Sequence, residues 1–211
     1  MKILPATDAA AVPIRAAATT LVLRDGPGRM EVLMVRRSLQ ASFMPGAYVF
    51  PGGAVDAADH AAGPSPHAVA AARECLEECA LRLDPAALVP WSRWTTPLGL
   101  PKRFDTMFYV CRAPEGQVAR ADESETTAIA WVQPSAALDA HGRGEHPMEF
   151  ATVRTVQSLV PHEGGGVQAL LAWAARQPLP VMEPRLHLED GRLRGVLLRG
   201  DPGWEDAPRL P

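Results

Sequence analysis

Proline and glycine interrupt this chain so often that long regular elements must be few, and one stretch reads as its clearest helix. The 21 prolines and 17 glycines among 211 residues predict many turns and few long uninterrupted elements. The exception runs from Ser65 to Pro85. Ser65 is a helix N-cap by residue type, and Pro66 falls in the first helical position, where a missing N–H costs nothing. Val69, Ala72, Leu76, Cys79 and Leu83 then recur at spacings of three and four. That spacing predicts one apolar stripe, and Pro85 closes the element.

Strand signals lie on both sides of this helix. Residues 16–24 and 29–37 are β-rich runs around Asp25-Gly26-Pro27-Gly28, a hairpin pattern. A short apolar piece, Tyr48-Val49-Phe50, leads into Pro51-Gly52-Gly53. Beyond the helix, residues 89–96, 103–111 and 126–132 read as strands, and residues 134–138, 148–159 and 167–176 as helices. Residues 185–189 and 192–198 alternate around Asp190-Gly191, a second hairpin signal. The order β-β-β-α-β-β-β-α-α-α-β-β implies an α/β (α+β) chain with a mixed sheet and helices on its faces. With no repeat and no linker, residues 1–211 are expected to form a single domain. Residues 1–14 would be a loose Ala- and Pro-rich lead-in, and about 147–211 a C-terminal helical and hairpin elaboration.

Composition narrows the function classes. Hydrophobic residues at 47% and charged residues at 21% exclude global disorder. A formal net charge of −3 and a pI near 6.1 leave no basic excess for nucleic-acid binding through counterion release. Cys75, Cys79 and Cys111 include no C-x-x-C pair, which speaks against a disulfide framework or a structural zinc site. No apolar run approaches the ~20 residues of a membrane helix, and residues 1–5 lack the apolar core of a signal peptide. The expectation is a cytoplasmic protein acting on a small molecule, with no nucleic-acid or membrane partner.

The helix carries its chemistry in Arg73-Glu74-Cys75-Leu76-Glu77-Glu78. Spacings of three and four place Glu74, Glu77 and Glu78 on one face, in the helix half where the macrodipole disfavours negative charge. Each like-charge pair costs roughly 0.2–0.5 kcal/mol. Such a cost is tolerated where function requires it. A solvated acidic face neutralised by Arg73, which reaches Glu77 one turn on, is one reading. A divalent metal site is the other, since Mg²⁺ takes hard oxygen ligands, waters and phosphate oxygens.

Together with Pro51-Gly52-Gly53, this segment resembles the Nudix box, G-x5-E-x7-R-E-U-x-E-E-x-G-U with U apolar. Arg73, Glu74, Cys75, Glu77, Glu78 and Leu81 match, and Ala80 stands at the usual Gly. Gly53 to Arg73 is 20 residues, about six more than the pattern allows. Counting forward from Gly53 puts Asp59 at the first Glu of the pattern, and counting back from Arg73 puts Ser65 there. The extra residues, around 60–64, are expected to bulge outward while Gly53 and the helix still converge. Leu33-Met34-Val35-Arg36-Arg37-Ser38, Gly46 and Phe50-Pro51-Gly52-Gly53 also resemble the motif of coenzyme A diphosphatases, L-L-T-x-R-[SA]-x3-R-x3-G-x3-F-P-G-G. Val35 stands at its Thr and Ser42 at its second Arg. Residues 91–97, 103–106 and the stretch ending at Trp131 are similar to the peroxisomal branch of those enzymes.

The resemblance implies a Nudix-type α/β/α sandwich and metal-dependent attack of water on a nucleoside diphosphate linked to another moiety. The implied substrate is CoA or acyl-CoA, with ADP-ribose or NADH as the alternative and a non-hydrolytic ligand-binding module as the third reading. The implied cofactor is Mg²⁺ or Mn²⁺, and a homodimer is compatible with it. Glu74 and Glu78 are the implied metal ligands, with Glu77 ligating directly or through water, the Gly53 carbonyl as a further donor and Glu125 as a distal acid. One of the three glutamates would take the nucleophile's proton, while Arg73 orients the carboxylates. Arg37 and Arg103 are the expected phosphate contacts, including any 3′-phosphate of CoA. Trp91 and Trp94 suit core packing or base stacking, His60 and His67 the surface, and Cys75 and Cys79 the core.

Overall fold

The computed structural model describes residues 12–41, 44–63, 65–190 and 192–207, so Ser42, Gly191 and most of the expected lead-in lie outside the described residues. Ten strands are described: β1 (Ile14–Asp25), β2 (Met30–Arg37), β3 (Tyr48–Val49), β4 (Gly52–Ala54), β5 (Val89–Thr95), β6 (Arg103–Arg112), β7 (Thr126–Val132), β8 (Val181–Met182), β9 (Arg185–Glu189) and β10 (Arg192–Leu197). The helices are α1 (Pro66–Cys79), α2 (Pro134–Gly142), α3 (Phe150–Leu159) and α4 (Gly166–Ala174). The main sheet runs β3-β2-β1-β6-β5-β8, with β4 added to β1 and β7 to β2. β9 and β10 form a separate hairpin. β1 and β6 are parallel from Ile14↔Arg103 to Leu23↔Arg112. A parallel pair needs a long crossover, and here that excursion carries α1.

Alternation along β1 divides the core into two layers. Leu21 and Leu23 join Val32, Trp94, Phe108, Val110, Val156, Leu159 and Leu170, so α3 and α4 cover that face. Ala18 and Val22 join Leu33, Val35, Tyr109, Ala68, Ala71, Cys75 and Cys79, so α1 covers the other. The mixed sheet between two helical layers is the expected α/β/α arrangement. Among the described residues no helix is long and apolar enough to cross a membrane.

Several local expectations change. β4 and β8 are too short, at 3 and 2 residues, to leave a periodic signature. The apolar stripe is displaced, because Leu76 is 38% exposed while Ala68, Ala71, Cys75 and Cys79 are buried. Small side chains on that face let the helix sit close to the sheet, near enough for the Thr20 hydroxyl to donate to the Ala71 carbonyl at 3.4 Å. Trp91 and Trp94 are core residues rather than base-stacking surfaces, with their indole N–H groups on Ser158 and Ser92 at 3.1 Å each. Cys75 and Cys79 are buried free thiols with sulfurs 3.6 Å apart.

α1 begins as expected, the Ser65 side chain accepting from the Ala68 N–H, but it ends at Cys79 rather than near Pro85. Ala80 terminates it in the left-handed region at φ 57°, its N–H turned back to the Cys75 and Leu76 carbonyls. Glycine occupies such a position without a Cβ penalty, whereas alanine pays one. Ala80→Gly should therefore raise unfolding stability by about 0.5–1 kcal/mol, the Cβ relief being partly offset by unfolded-chain entropy. Urea titration of the two proteins checks this, and a destabilised Gly variant would contradict it.

Candidate active site

The site forms where β1 changes partners. Its far end, Leu23 to Asp25, pairs with β2, while Ala17 to Thr19 pair with β4. This hooks Gly52 and Gly53 onto the edge of β1 beneath α1. The fit is too close for side chains. A Cβ on Gly52 would lie 2.4 Å from the Ala18 carbonyl oxygen, and one on Gly53 would lie 2.3 Å from Glu74 Oε1. The Gly52 N–H donates to Glu78 Oε2 at 3.0 Å. Gly53 and the helix therefore converge as expected despite the insertion.

The three glutamates of α1 are not equivalent. Glu78 is only 5% exposed. Glu74 also turns inward, at 15% side-chain exposure, whereas Glu77 is 56% exposed. Glu74 and Glu78 thus line the cleft, and Glu77 lies at its rim. Among the described residues no three His, Cys, Asp or Glu side chains close a metal cage by themselves. What converges on the Gly52-Gly53 backbone is a hard-oxygen set of two carboxylates with main-chain carbonyl groups beside them, chemistry suited to a divalent cation completed by water and phosphate oxygens.

Arg73 organises this set. Its Nε donates to Asp59 Oδ1 at 3.2 Å, and its Nη2 to Asp59 Oδ2 at 3.1 Å and the Ala54 carbonyl at 2.9 Å. Its Nη1 donates to Glu74 at 2.9 Å and Glu77 at 3.0 Å. These bonds occupy all the N–H donors of a guanidinium. Arg73 is therefore a positioning group with nothing left for a ligand. Asp59 is buried at 2% exposure. Burial alone would raise its carboxyl, but the Arg73 fork and the Asp56 N–H outweigh that and hold it below the usual range. Of the two candidate positions for the first acid of the pattern, Ser65 caps α1, and Asp59 is the one that bonds Arg73. The extra residues follow it, and His60 to Ala62 are exposed as predicted.

The distal loop approaches from β7. The Thr126 hydroxyl lies 2.9 Å from the Glu78 carbonyl and 2.8 Å from Asp122 Oδ1, tying the end of α1 to the loop. Burial works to raise the Asp122 carboxyl, but bonds from Ser124, the Glu125 N–H and Thr126 hold it far below the ordinary range. Asp122 is thus a loop staple. Glu125 is exposed, and its charge bears on both Glu74 and Glu78. Arg37, at the end of β2, acts on Glu78 in the opposite sense, while its neighbour Arg36 is exposed. Arg103 stands apart. It opens β6 opposite Ile14 and donates to the Thr96 carbonyl at 3.3 Å. Thr126 and the Gly52 amide escaped the sequence reading. A buried hydroxyl has no periodic signature, and the P-G-G doublet does not say which amide faces a carboxylate.

A NUDIX domain family model matches residues 13–150. The chain belongs to the Nudix family. It is 27% identical over 152 residues to “Putative nudix hydrolase 7” of Caenorhabditis elegans, covering 56% of this chain and 51% of that one. The chain thus spans about half the length of the curated relative it matches. The crystal structure of a NUDIX hydrolase from Alicyclobacillus acidocaldarius superposes with a TM-score of 0.69 at 26% identity, covering 79% of this chain and 99% of that chain. The NUDIX domain of Shewanella oneidensis NrtR, solved with ADP ribose, shares the fold at a TM-score of 0.54 and 15% identity, over 71% and 88% of the two chains.

Burial is the largest influence on Glu78 in this Nudix domain. It pushes the carboxyl up to about 7, against the Gly52 N–H and Arg37, with Glu74 and Glu125 adding to the rise. Between the ordinary value of 4.5 and about 7, the folded protein holds a proton that the unfolded chain has released. Stability in metal-free buffer should therefore fall as pH rises through that window. Glu78→Gln should remove that component and flatten the profile, as read by thermal unfolding in EDTA between pH 5 and 8. An unchanged slope in the variant would contradict the assignment.

Proposed function

We propose that the chain hydrolyses a nucleoside diphosphate linked to a second moiety, with CoA or acyl-CoA as the substrate. The observation that carries the reading is the buried Glu78 carboxylate on the Gly52 amide, with Glu74 packed against Gly53 beside it. Two adjacent carboxylates in a desolvated cleft are costly unless a cation is bound between them. Glu74, Glu78 and the Gly53 carbonyl would hold that cation, with Glu77 acting through water and Glu125 closing from the opposite loop. Nudix hydrolases use divalent ions, and Mg²⁺ or Mn²⁺ would supply neutralisation of the diphosphate and acidification of the attacking water.

The protein's own groups supply the rest. A water oxygen attacks one phosphorus, the bridging P–O bond breaks, and nucleotide and phosphorylated partner leave. The water's proton passes to one of the inward carboxylates. Arg73 holds Glu74 and Glu77 in place. Arg37, whose charge already bears on Glu78, would bind the diphosphate being cut. The motif around β2 supports CoA in spacing. Val35, standing at the motif's Thr, is wholly buried on the α1 side, so that exchange leaves the ligand-facing surface untouched.

Identification of products after incubation with CoA, ADP-ribose and NADH in Mg²⁺ tests the reading. The expected products from CoA are adenosine 3′,5′-bisphosphate and phosphopantetheine. Cleavage of ADP-ribose or NADH alone would reassign the substrate, and cleavage of none would leave a ligand-binding domain. Glu78→Gln should lower turnover by several orders of magnitude with the fold retained. Near wild-type activity in that variant would remove Glu78 from the mechanism. Arg37→Ala forfeits a charge-assisted phosphate contact of ~1.5–3 kcal/mol, so kcat/KM should fall roughly ten- to a hundredfold. With Arg37 proposed at the diphosphate beside Glu78, CoA and dephospho-CoA should suffer alike, whereas a larger loss on CoA would return Arg37 to the 3′-phosphate contact that the sequence also allowed.

A further inference from the structure

A cavity of about 750 Å³ opens at the start of β6, between the end of β5 and the C-terminal segment that carries β8, β9 and β10. Arg103, Arg185 and Arg199 line it, against a single carboxylate, Glu183. None of the three arginines forms an ion pair with a described carboxylate. This concentration of positive charge stands out in a chain of net charge −3. Two of the guanidiniums are held by Trp204, which is 6% exposed. Arg185 stacks 3.5 Å above its indole and donates to its carbonyl at 3.0 Å. Arg199 lies 5.2 Å from the same ring. Arg103 is fixed from the opposite wall by the Thr96 carbonyl.

We infer that this cavity is a subsite for a phosphate monoester. Stacked guanidiniums with unspent donors are preorganised for bidentate contact with phosphate oxygens. An aromatic floor keeps them from collapsing onto one another. The cavity is built largely by residues 181–204, beyond the span 13–150 that matches the family model. It would therefore add a contact that the Glu74–Glu78 site itself does not provide. Arg103 lies four register positions from Met107, which faces Ala18, itself paired with Gly53. At ~3.3 Å per residue this is about 13 Å along the sheet, a separation that a dinucleotide-sized ligand spans. The ligand class is a diphosphate-linked compound bearing an additional phosphate away from the bond that is cut. That identity rests on the hydrolase reading, but the cavity's affinity for phosphate does not.

The test uses Arg199→Glu, with Arg199→Lys as the conservative control. Arg199 is exposed, so both variants should fold, and thermal unfolding checks that they do. Calorimetric titration with inorganic phosphate, in EDTA at low ionic strength, should show saturable binding to the full chain. Arg199→Glu should weaken that binding at least tenfold, and Arg199→Lys should keep much of it. Absence of phosphate binding by the wild type, or equal binding by Arg199→Glu, would overturn the proposal. The kcat/KM ratios of CoA over dephospho-CoA and of NADPH over NADH then identify the source of the phosphate. A ratio that falls about tenfold in Arg199→Glu places the substrate's own phosphate there. An unchanged ratio beside Arg199-dependent phosphate binding assigns the cavity to a separate phosphorylated compound. If the wild type turns over none of these substrates, the hydrolase reading fails while the titration still decides the cavity.

Discussion

The Glu78 carboxylate bonded to the Gly52 amide is the contact on which the geometry of the cleft depends. To make it, α1 must press against the point where β4 joins β1, and any side chain at Gly52 or Gly53 would hold the two apart. The demand propagates outward. The helix face toward the sheet is made of Ala68, Ala71 and Cys75, because larger residues would lift Glu78 off its donor. The end of α1 must be pinned as well, which the Thr126 hydroxyl does through the Glu78 carbonyl. Packing is unforgiving of added volume, so close approach at two glycines fixes the register of a whole helix.

The same requirement explains what could be seen in the sequence and what could not. The start of α1 was legible because Ser65-Pro66 is a local signal whose meaning does not depend on tertiary context. Its buried face was not. Hydrophobic periodicity ranks Leu76 above alanine, yet a close helix–sheet approach selects for small size rather than hydrophobicity, and Leu76 is left at 38% exposure. The end at Cys79 was also hidden, since Ala80 takes a left-handed conformation that its residue type does not advertise. The long strands were readable from alternation. β4 and β8 exist only because β1 and β5 offer them an edge.

For the cleft, residue types were more legible than roles. Three carboxylates at spacings of three and four share a helix face on a wheel, but packing divides them. An i, i+4 pair, Glu74 and Glu78, turns inward, while Glu77 stays at the rim. The insertion after Gly53 left two positions open for the first acid of the Nudix pattern. The fold distinguishes them: Asp59 meets Arg73 in a two-point fork, whereas Ser65 caps the helix. Arg103 was legible as a cation near a strand start. Arg185, Arg199 and Trp204, which share its cavity, are too far along the chain for any local pattern to join them.

Arg73 shows a cation committed wholly to the fold rather than to a ligand. Arg73 sits closest to the carboxylates, yet every N–H it owns is taken by Asp59, Ala54, Glu74 and Glu77. A cation in that state lowers the electrostatic cost of gathering glutamates, because it is bonded to them already and does not reorganise when a ligand arrives. It cannot also bind an anionic ligand without giving up part of the network that holds Glu74. On the proposed hydrolase reading, cationic contacts for a phosphorylated ligand come from other elements, and β2 and β6 carry Arg37 and Arg103 at their ends. On that reading, a division of labour between a saturated arginine and others that would meet the ligand follows from placing acidic groups on a helix pressed tightly against its sheet.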